Sequence, residues 1–206
     1  MEWIKFLTIS KIKYHIYKLN KSDTLILHNL ENVNNKIIII LYGLIYIVKV
    51  FPNKELLPIA ILDKNTILIN YKKDNQIYYK LVALETTYII SFKEDNPNHT
   101  INTELNIIKY YKKTLKRYEE MSEIISQRKT KNRIVQLILL IGLKFGIIRN
   151  QVILIPFKLS QENIAMMTGL SQNTINKTMK VIYKMGIIEE NKRIINLSNI
   201  LNINLK

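Results

Sequence analysis

The chain contains no cysteine among its 206 residues, and it has only five glycines and three histidines. Without cysteine it can form no disulfide bond, no thiolate zinc site and no cysteine nucleophile. The histidines, His15, His28 and His99, lack metal-ligand spacing, so we expect each to be an ordinary core or surface residue. No phosphate-cradling loop, nucleophile–base set or pair of carboxylates is visible. We therefore expect the chain not to be an enzyme.

Long apolar runs and a secretory leader are also missing. The longest uncharged apolar stretch is residues 37–48, whereas a membrane-spanning helix needs roughly 20 such residues. This stretch is rich in isoleucine and is interrupted by Gly43, so it predicts buried strands joined by a turn. The first residues show no charged-then-apolar pattern with a cleavage site. We expect neither secretion nor membrane insertion.

The charge of the chain is strongly positive, with a formal net charge of +15 at pH 7. A basic surface attracts nucleic acid because it releases the counterions condensed on phosphate. However, Lys, Asn, Ile and Tyr are all encoded by AT-rich codons, so genome bias is an alternative source of this charge. The hydrophobic content of 48% is enough for a sizeable core, which excludes a globally disordered chain.

The first half of the chain, to about Asn98, contains many short β-rich runs separated by turn-like clusters. Short strands at close spacing predict a sandwich or a barrel. Pro97 ends this region, because proline cannot donate a hydrogen bond into a strand ladder. The predicted strands are residues 24–27, 37–41, 44–51, 56–62, 67–69, 77–84 and 88–92.

Residues 101–127 change to a helical pattern. Ile101, Ile108, Leu115 and, less well, Ser122 recur at every seventh position, with Tyr111, Tyr118 and Ile125 between them. This spacing predicts an apolar seam on a long helix. Such a seam either pairs with a second copy of the chain or packs against the strand domain. The segments predicted to follow are a polar, basic hinge at residues 128–133, an apolar helix at 134–146 and a strand at 152–157.

Residues 159–182 predict two short helices joined by a tight glycine turn. Ser160 is placed to cap the first helix, and Glu162 adds a carboxylate to its positively polarised first turn. Gly169 can take the positive φ that ends this helix, and Ser171 is a second N-cap. The second helix has an apolar stripe made of Ile175, Met179, Ile182 and Met185.

The opposite face of the second helix carries side chains that can bond base edges or phosphates. After it, two β-branched runs around a polar turn at residues 186–197 predict a hairpin, which here would be a wing with Lys192 and Arg193 at its tip. The pattern predicts a winged helix-turn-helix over residues 160–197; a helical hairpin of another kind is the alternative. The polar face consists of Gln172, Asn173, Asn176, Lys177 and Lys180.

These segments resemble the Crp/Fnr family of bacterial transcription regulators, and within it the NtcA-type nitrogen regulators of cyanobacteria and algal plastids. The resemblance is weak in the first half and specific from about Arg128 onward. The residues that carry it are 159–165, 168–171, 174–175 and Gly186-Ile-Ile with the wing, and upstream 127–135 and 144–146. The resemblance implies an α+β fold with a β-roll at residues 1–98, a long dimerisation helix at 99–130 and a winged helix-turn-helix at 131–206.

The resemblance also implies partners and a location. Double-stranded DNA, a second copy of the chain and RNA polymerase are the expected partners, and the plastid stroma is the expected location, or the cytoplasm if the chain is bacterial. We expect a homodimer that regulates nitrogen-related genes at a palindromic site. A winged helix that docks onto the transcription machinery without reading DNA is the alternative.

The sensor positions of the family are changed in this chain. Cyclic nucleotides need a Gly-Glu pair and an arginine, but residues 68–71 and 77–79 at the matching positions contain none of these, so we expect no such ligand. The nitrogen regulators bind 2-oxoglutarate, and Arg128 either matches one of their arginines or is a solvated helix-end charge. Their second arginine falls on Ile77 and a glycine on Ile69. We therefore expect effector binding to be altered or lost, and no other cofactor.

The resemblance places Gln172, Asn173 and Lys177 at base-reading positions, where relatives usually have arginine at the first and last. Gln172 can bond adenine with two hydrogen bonds, whereas arginine chooses guanine. Lys177 keeps the charge but loses the rigid fork of arginine, so we expect an altered base preference. Phosphate contacts that set the register are expected from Ser160, Ser171 and Thr174.

Overall fold

The computed structural model describes residues 2–27, 36–70, 76–93, 107–150, 152–189 and 194–196. The chain forms two compact units, Met1–Met121 and Ser122–Lys206. Antiparallel sheets dominate the described part of the first unit, and helices dominate that of the second, which confirms the predicted α+β class. The finer division at residues 98 and 130 stays a prediction. Among the described helices, none combines the length and apolarity that a bilayer crossing requires.

The predicted strands of the first half all form, and each end agrees with the structure to within one residue. One helix and two strands, α1, β1 and β9, were not predicted. The described helices are α1 (Glu2–Ile9), α2 (Ile107–Ile125), α3 (Thr130–Phe145), α4 (Gln161–Thr168) and α5 (Gln172–Lys184). The described strands are β1 (Tyr14–Leu19), β2 (Thr24–Leu27), β3 (Lys36–Tyr42), β4 (Leu44–Val50), β5 (Leu56–Asp63), β6 (Ile67–Asn70), β7 (Tyr78–Ala83), β8 (Thr87–Lys93), β9 (Ile147–Arg149), β10 (Val152–Leu154) and β11 (Ile194–Asn196).

The first unit is built on two four-stranded antiparallel sheets, in the orders β1-β8-β3-β6 and β2-β7-β4-β5. One core cluster joins residues of both sheets, such as Ile38 and Ile89 of the first with Ile47 and Leu81 of the second. Gly43 connects β3 to β4 with φ of 91°, and a Cβ atom there would overlap Thr87. The apolar run at residues 37–48 is therefore two buried strands and a turn, as predicted.

Strand β3 is buried on both of its faces, which explains its four consecutive isoleucines. Ile38 and Ile40 belong to the core shared by the two sheets, because successive side chains point to opposite faces. Ile37 and Ile39 belong to a second cluster with Trp3 and Leu7 of α1 and with Tyr110 of α2. Helices α1 and α2 thus cover the outer face of the first sheet.

Helix α2 is held to the end of β5 by a group of ion pairs. Asp63 accepts from Lys113 Nζ at 2.7 Å and from Arg117 Nε at 3.0 Å, and Arg117 Nη1 donates to Glu120 at 2.9 Å. Arg117 is only 9% exposed. Burial opposes its charge, but the hydrogen bonds to Asp63 and Glu120 outweigh burial and raise the pKa of Arg117. This arginine is therefore charged inside the unit.

The start of the second unit differs from the prediction in one respect. The predicted hinge at residues 128–133 is wrong in its last four residues, because α3 begins at Thr130 and not at Ile134. Lys129 is extended (φ −82°, ψ 121°), and the backbone N–H of Arg133 bonds to its carbonyl at 3.1 Å. The non-helical elbow between α2 and α3 is therefore residues 126–129. The predicted beginning of the long helix, residues 101–106, lies outside the described residues.

The core of the second unit lies under α3. This helix buries one apolar face and contacts both α4 and α5. Gly146 ends the helix beside β10, where a Cβ atom would overlap the Gly142 carbonyl and Ile153. The predicted strand at residues 152–157 is shorter in the structure, because β10 ends at Leu154. It lies between β9 and β11 in a small antiparallel sheet.

We predict that Asp63→Ala lowers the free energy of unfolding by about 3 kcal/mol, because it leaves a buried cation with one partner fewer. Urea denaturation measures this change. Glu55→Ala removes an exposed carboxylate of the same unit and should change the free energy by less than about 0.5 kcal/mol. Equal effects of the two substitutions would contradict a structural role for the Asp63 ion pairs.

Candidate nucleic-acid interface

Helix α4 begins at the predicted cap. Ser160 is extended (φ −72°, ψ 153°), and its Oγ accepts a hydrogen bond from the Asn163 backbone N–H at 3.0 Å. This satisfies one of the N–H groups that a helix N-terminus leaves unpaired. The apolar side of the helix is buried, with Ile164 2% and Ala165 9% exposed. The small Ala165 side chain lets α4 and α5 pack together closely.

The turn between α4 and α5 has the predicted left-handed residue. Gly169 has φ of 67° and ψ of 24°, and its N–H bonds to the Ala165 carbonyl. The N–H of Leu170 bonds to the same carbonyl at 3.2 Å. A residue with a Cβ atom is strained in this region, whereas glycine is not. The turn brings the next cap, Ser171, into place directly after α4.

Helix α5 is capped in the same way. Ser171 is extended (φ −66°, ψ 148°), and its Oγ accepts from the Thr174 backbone N–H at 3.2 Å. The hydroxyls of Ser171 and Thr174 lie 2.9 Å apart. One of the two hydroxyl protons makes that hydrogen bond, and the other proton is left to donate to a phosphate oxygen. The cap can therefore hold the helix and an anion together.

The apolar stripe of α5 orients the whole helix. Ile175, Met179 and Ile182 are each at most 1% exposed. The prediction is wrong for Met185, which follows α5 as its C-cap and is 38% exposed. Because an α-helix has 3.6 residues per turn, the residues opposite this stripe must face away from the unit's core.

The face opposite the stripe is an exposed ridge of amide and ammonium groups. Asn173, Lys177, Lys180 and Lys184 lie along it, spaced by three or four residues, and all are exposed. Lys184 was not predicted, although its seven-residue spacing from Lys177 is visible in the sequence. Helix α5 contains no acidic residue in its sequence, so the ridge can approach an anionic polymer without repulsion from its own helix.

The remaining predicted residues of α5 lie beside this ridge. Gln172 is exposed in the first turn, where helix N–H groups and the macrodipole favour anions. Thr174 and Asn176 are half-buried. The Oδ1 atom of Asn176 is buried and has no hydrogen-bond partner among the described residues. The amide of Asn176 is therefore less accessible to a ligand than we predicted from the sequence.

The predicted wing is described in part. Its second strand, β11, pairs with β10 through Val152↔Asn196 and Leu154↔Ile194, and β9 extends the sheet on the other side of β10. Lys192 and Arg193 lie outside the described residues. Arg128, the predicted effector residue, is exposed in the elbow between α2 and α3.

These features define the second unit as a helix-turn-helix domain with an attached strand sheet. Residues 132–200 match the model of the Crp-like helix-turn-helix domain. This part of the chain is therefore similar to the helix-turn-helix domain of Crp-type regulators. Similarity to other proteins extends beyond this domain.

A protein of Porphyra purpurea, named as an HTH-type transcriptional regulator, is 25% identical over 94% of this chain and 82% of its own length. A CooA variant from Carboxydothermus hydrogenoformans superimposes with a TM-score of 0.69 at 20% identity, over 92% of this chain and 87% of that chain. A CRP-family regulator from Thermus thermophilus gives a TM-score of 0.68 at 13% identity, over 90% of this chain and 95% of that chain. The similarity in fold to these two regulators thus covers at least 90% of the chain.

We predict that Ser171→Ala lowers the free energy of unfolding by about 1 kcal/mol, because the Thr174 N–H loses its acceptor. Ser171→Asp should leave stability nearly unchanged, since aspartate caps helices as well as serine does. Thermal and urea denaturation of the two variants measure the difference. A loss of stability in Ser171→Asp that matches the loss in Ser171→Ala would contradict the capping role.

Proposed function

We propose that this chain is a homodimeric, sequence-specific transcription regulator that binds a palindromic DNA site through α5. The observation that carries the proposal is the ridge of Asn173, Lys177, Lys180 and Lys184, which stands opposite the buried stripe of a capped helix. Ammonium groups bind phosphate, and amides can bond base edges in the major groove. Gln172, in the exposed first turn, is placed to contact adenine.

A homodimer is supported by the two faces of α2. Tyr110, Thr114 and Arg117 are each at most 9% exposed and form the face that packs on the first unit. Ile108 and Leu115, two residues of the seven-residue repeat, are 58% and 56% exposed. These two side chains are therefore available to a second copy of the chain, whereas Tyr111 and Tyr118 of the same seam pack against the cores of the first unit. A two-fold protein pairs naturally with a palindromic site.

The finer assignments rest on resemblance. Residues 159–175 and the wing resemble the nitrogen regulator NtcA, which supports regulation of nitrogen-related genes and contact with RNA polymerase. The abundance of residues encoded by AT-rich codons and the similarity to the Porphyra purpurea protein support a location in the plastid stroma. Activation would require a contact with RNA polymerase.

We further propose that the sensor of this chain does not respond to 2-oxoglutarate. A cavity of 550 Å³ lies between the strands of the first unit and α2, lined mainly by apolar side chains and tyrosines. Ile69 lines it, and Lys112 is the one charged residue among the described residues of its wall. Desolvation, with a smaller contribution from Tyr79, raises the pKa of Tyr118 in this wall to about 12. An environment that opposes a phenolate also opposes a dicarboxylate.

Substituting Lys180 or Lys184 with alanine is predicted to weaken binding to duplex DNA of any sequence. Each substitution should also reduce the slope of log K against log salt concentration by about 1, because each removes one phosphate contact. Fluorescence anisotropy at several salt concentrations measures both quantities.

The matched control is Lys109→Ala, which removes the same charge from an exposed position on α2 and should leave the salt slope unchanged. A wild-type affinity with no salt dependence would contradict DNA binding. It would instead favour a winged helix that docks onto a protein of the transcription machinery.

We predict that calorimetry with 2-oxoglutarate gives no binding heat for the wild-type chain. The double variant Ile69→Gly and Ile77→Arg restores the two residue types on which the nitrogen regulators depend, and it should gain measurable affinity. Binding of 2-oxoglutarate to the wild type at micromolar concentration would show that the apolar cavity does not exclude the ligand.

A further inference from the structure

In the described part of the second unit, the side chain of Arg133 makes three hydrogen bonds to two backbone carbonyls. Its Nη2 and Nε donate to the carbonyl of Gln127 at 3.0 and 3.3 Å, and its Nη1 donates to the carbonyl of Thr168 at 3.2 Å. Gln127 lies in the elbow just after α2, and Thr168 is the last residue of α4. One guanidinium group therefore joins the end of α2 to the turn of the helix-turn-helix.

The Thr168 carbonyl is the last of α4, and the Gln127 carbonyl lies two residues beyond the end of α2. The last carbonyls of a helix have no intrahelical donor, and the macrodipole makes that end negative. Neither α2 nor α4 has a basic residue in its own last turn. Arg133 supplies the missing cation to both ends from a third helix, α3.

The position of Arg133 on α3 is unfavourable for α3 itself. Arg133 lies in the first turn of that helix, where the macrodipole disfavours a cation, and α3 has no acidic residue there to compensate. Helix stability therefore does not account for a cation at this position, whereas the two carbonyl contacts do.

The Thr168 end of the link is rigid. Thr168 is fully buried, and its Oγ1 donates to the Ile164 carbonyl at 2.7 Å. The next residue is Gly169, whose left-handed conformation sets the direction of α5. A displacement of the Thr168 carbonyl would therefore move the start of α5.

We infer that Arg133 is a positioning residue that fixes the helix-turn-helix to the end of α2 and so sets the spacing of the two half-sites that a dimer reads. The inference rests on the proposed DNA binding for its consequence, half-site spacing, but not for the link itself. Lysine cannot replace arginine, because a single ammonium lacks the planar fork that reaches both carbonyls.

The link can be tested without DNA, because the chain has no cysteine of its own. Spin labels on Glu123→Cys, near the end of α2, and Glu162→Cys, in α4, report the distance across the link by pulsed electron spin resonance. Both positions are exposed, and dilution with unlabelled chain suppresses signals between protomers. The wild-type background should give one narrow distance distribution.

Arg133→Lys should add a second population of distances while the chain stays folded by circular dichroism. A charged hydrogen bond is worth roughly tenfold in an equilibrium constant, so we expect that population to rise about tenfold. Arg149→Lys, the same change at an exposed arginine of β9, should keep the distribution narrow. Arg133→Gln serves in its place if Arg133→Lys unfolds. A distribution as narrow as that of the wild type in a folded Arg133 variant would overturn the inference.

The DNA consequence is tested by selection of half-site spacing with the same proteins. Arg133→Lys should lower the preference for the wild-type spacing over spacings changed by one base pair about tenfold, with the base preference within each half-site unchanged. Unchanged spacing preference would overturn the role in half-site geometry. If the wild type selects no site while the labels show the second population in Arg133→Lys, the proposed function fails and the Arg133 link stands.

Discussion

The burial of one stripe of α5 is the constraint on which the interface depends. Ile175, Met179 and Ile182 are removed from water, and each such side chain stabilises the fold by about 1.5–3 kcal/mol. Rotating α5 to bury its lysines would expose that stripe to water. The burial that stabilises the second unit therefore also fixes the direction in which the ridge faces. The caps at Ser160 and Ser171 and the left-handed Gly169 determine where the two helices begin and end. No further interaction is needed to keep the polar face of α5 accessible to a ligand.

In strand β3 of the first unit, consecutive apolar residues replace the alternation of apolar and polar residues that a strand with one exposed face shows. Strand β3 is covered on one side by the second sheet and on the other by α1 and α2, so nearly every residue in it is apolar. The ion pairs of Asp63 attach α2 to the end of β5. The face of α2 that carries Ile108 and Leu115 does not contribute to this attachment. Helix α2 can therefore cover the strand domain with one face and expose a second apolar face.

Sequence patterns determined much of this architecture because they report on local physics. β-Branched runs between turn residues located the strands to within one residue, and the cap and glycine signals located both helices of the helix-turn-helix. The sequence patterns did not predict the elements that are stabilised by contacts with other segments of the chain. Helix α1 is short and is held by Trp3 and Leu7 against the outer face of a sheet, and β9 forms because β10 lies beside it. The early start of α3 depends on a turn closed onto Lys129. The bridging role of Arg133 is invisible in sequence, since Gln127 and Thr168 take part through backbone carbonyls that every residue has.

The central claim is that the exposed face of α5 reads DNA. Selection of duplexes from a random pool by the full-length wild-type chain at physiological salt tests it most directly. A two-fold symmetric motif should emerge, and it should disappear when Gln172 and Lys177 are both changed to alanine. Failure of the wild type to enrich any motif would contradict sequence-specific regulation. It would leave the ridge as a surface that binds DNA by charge alone or that contacts another protein.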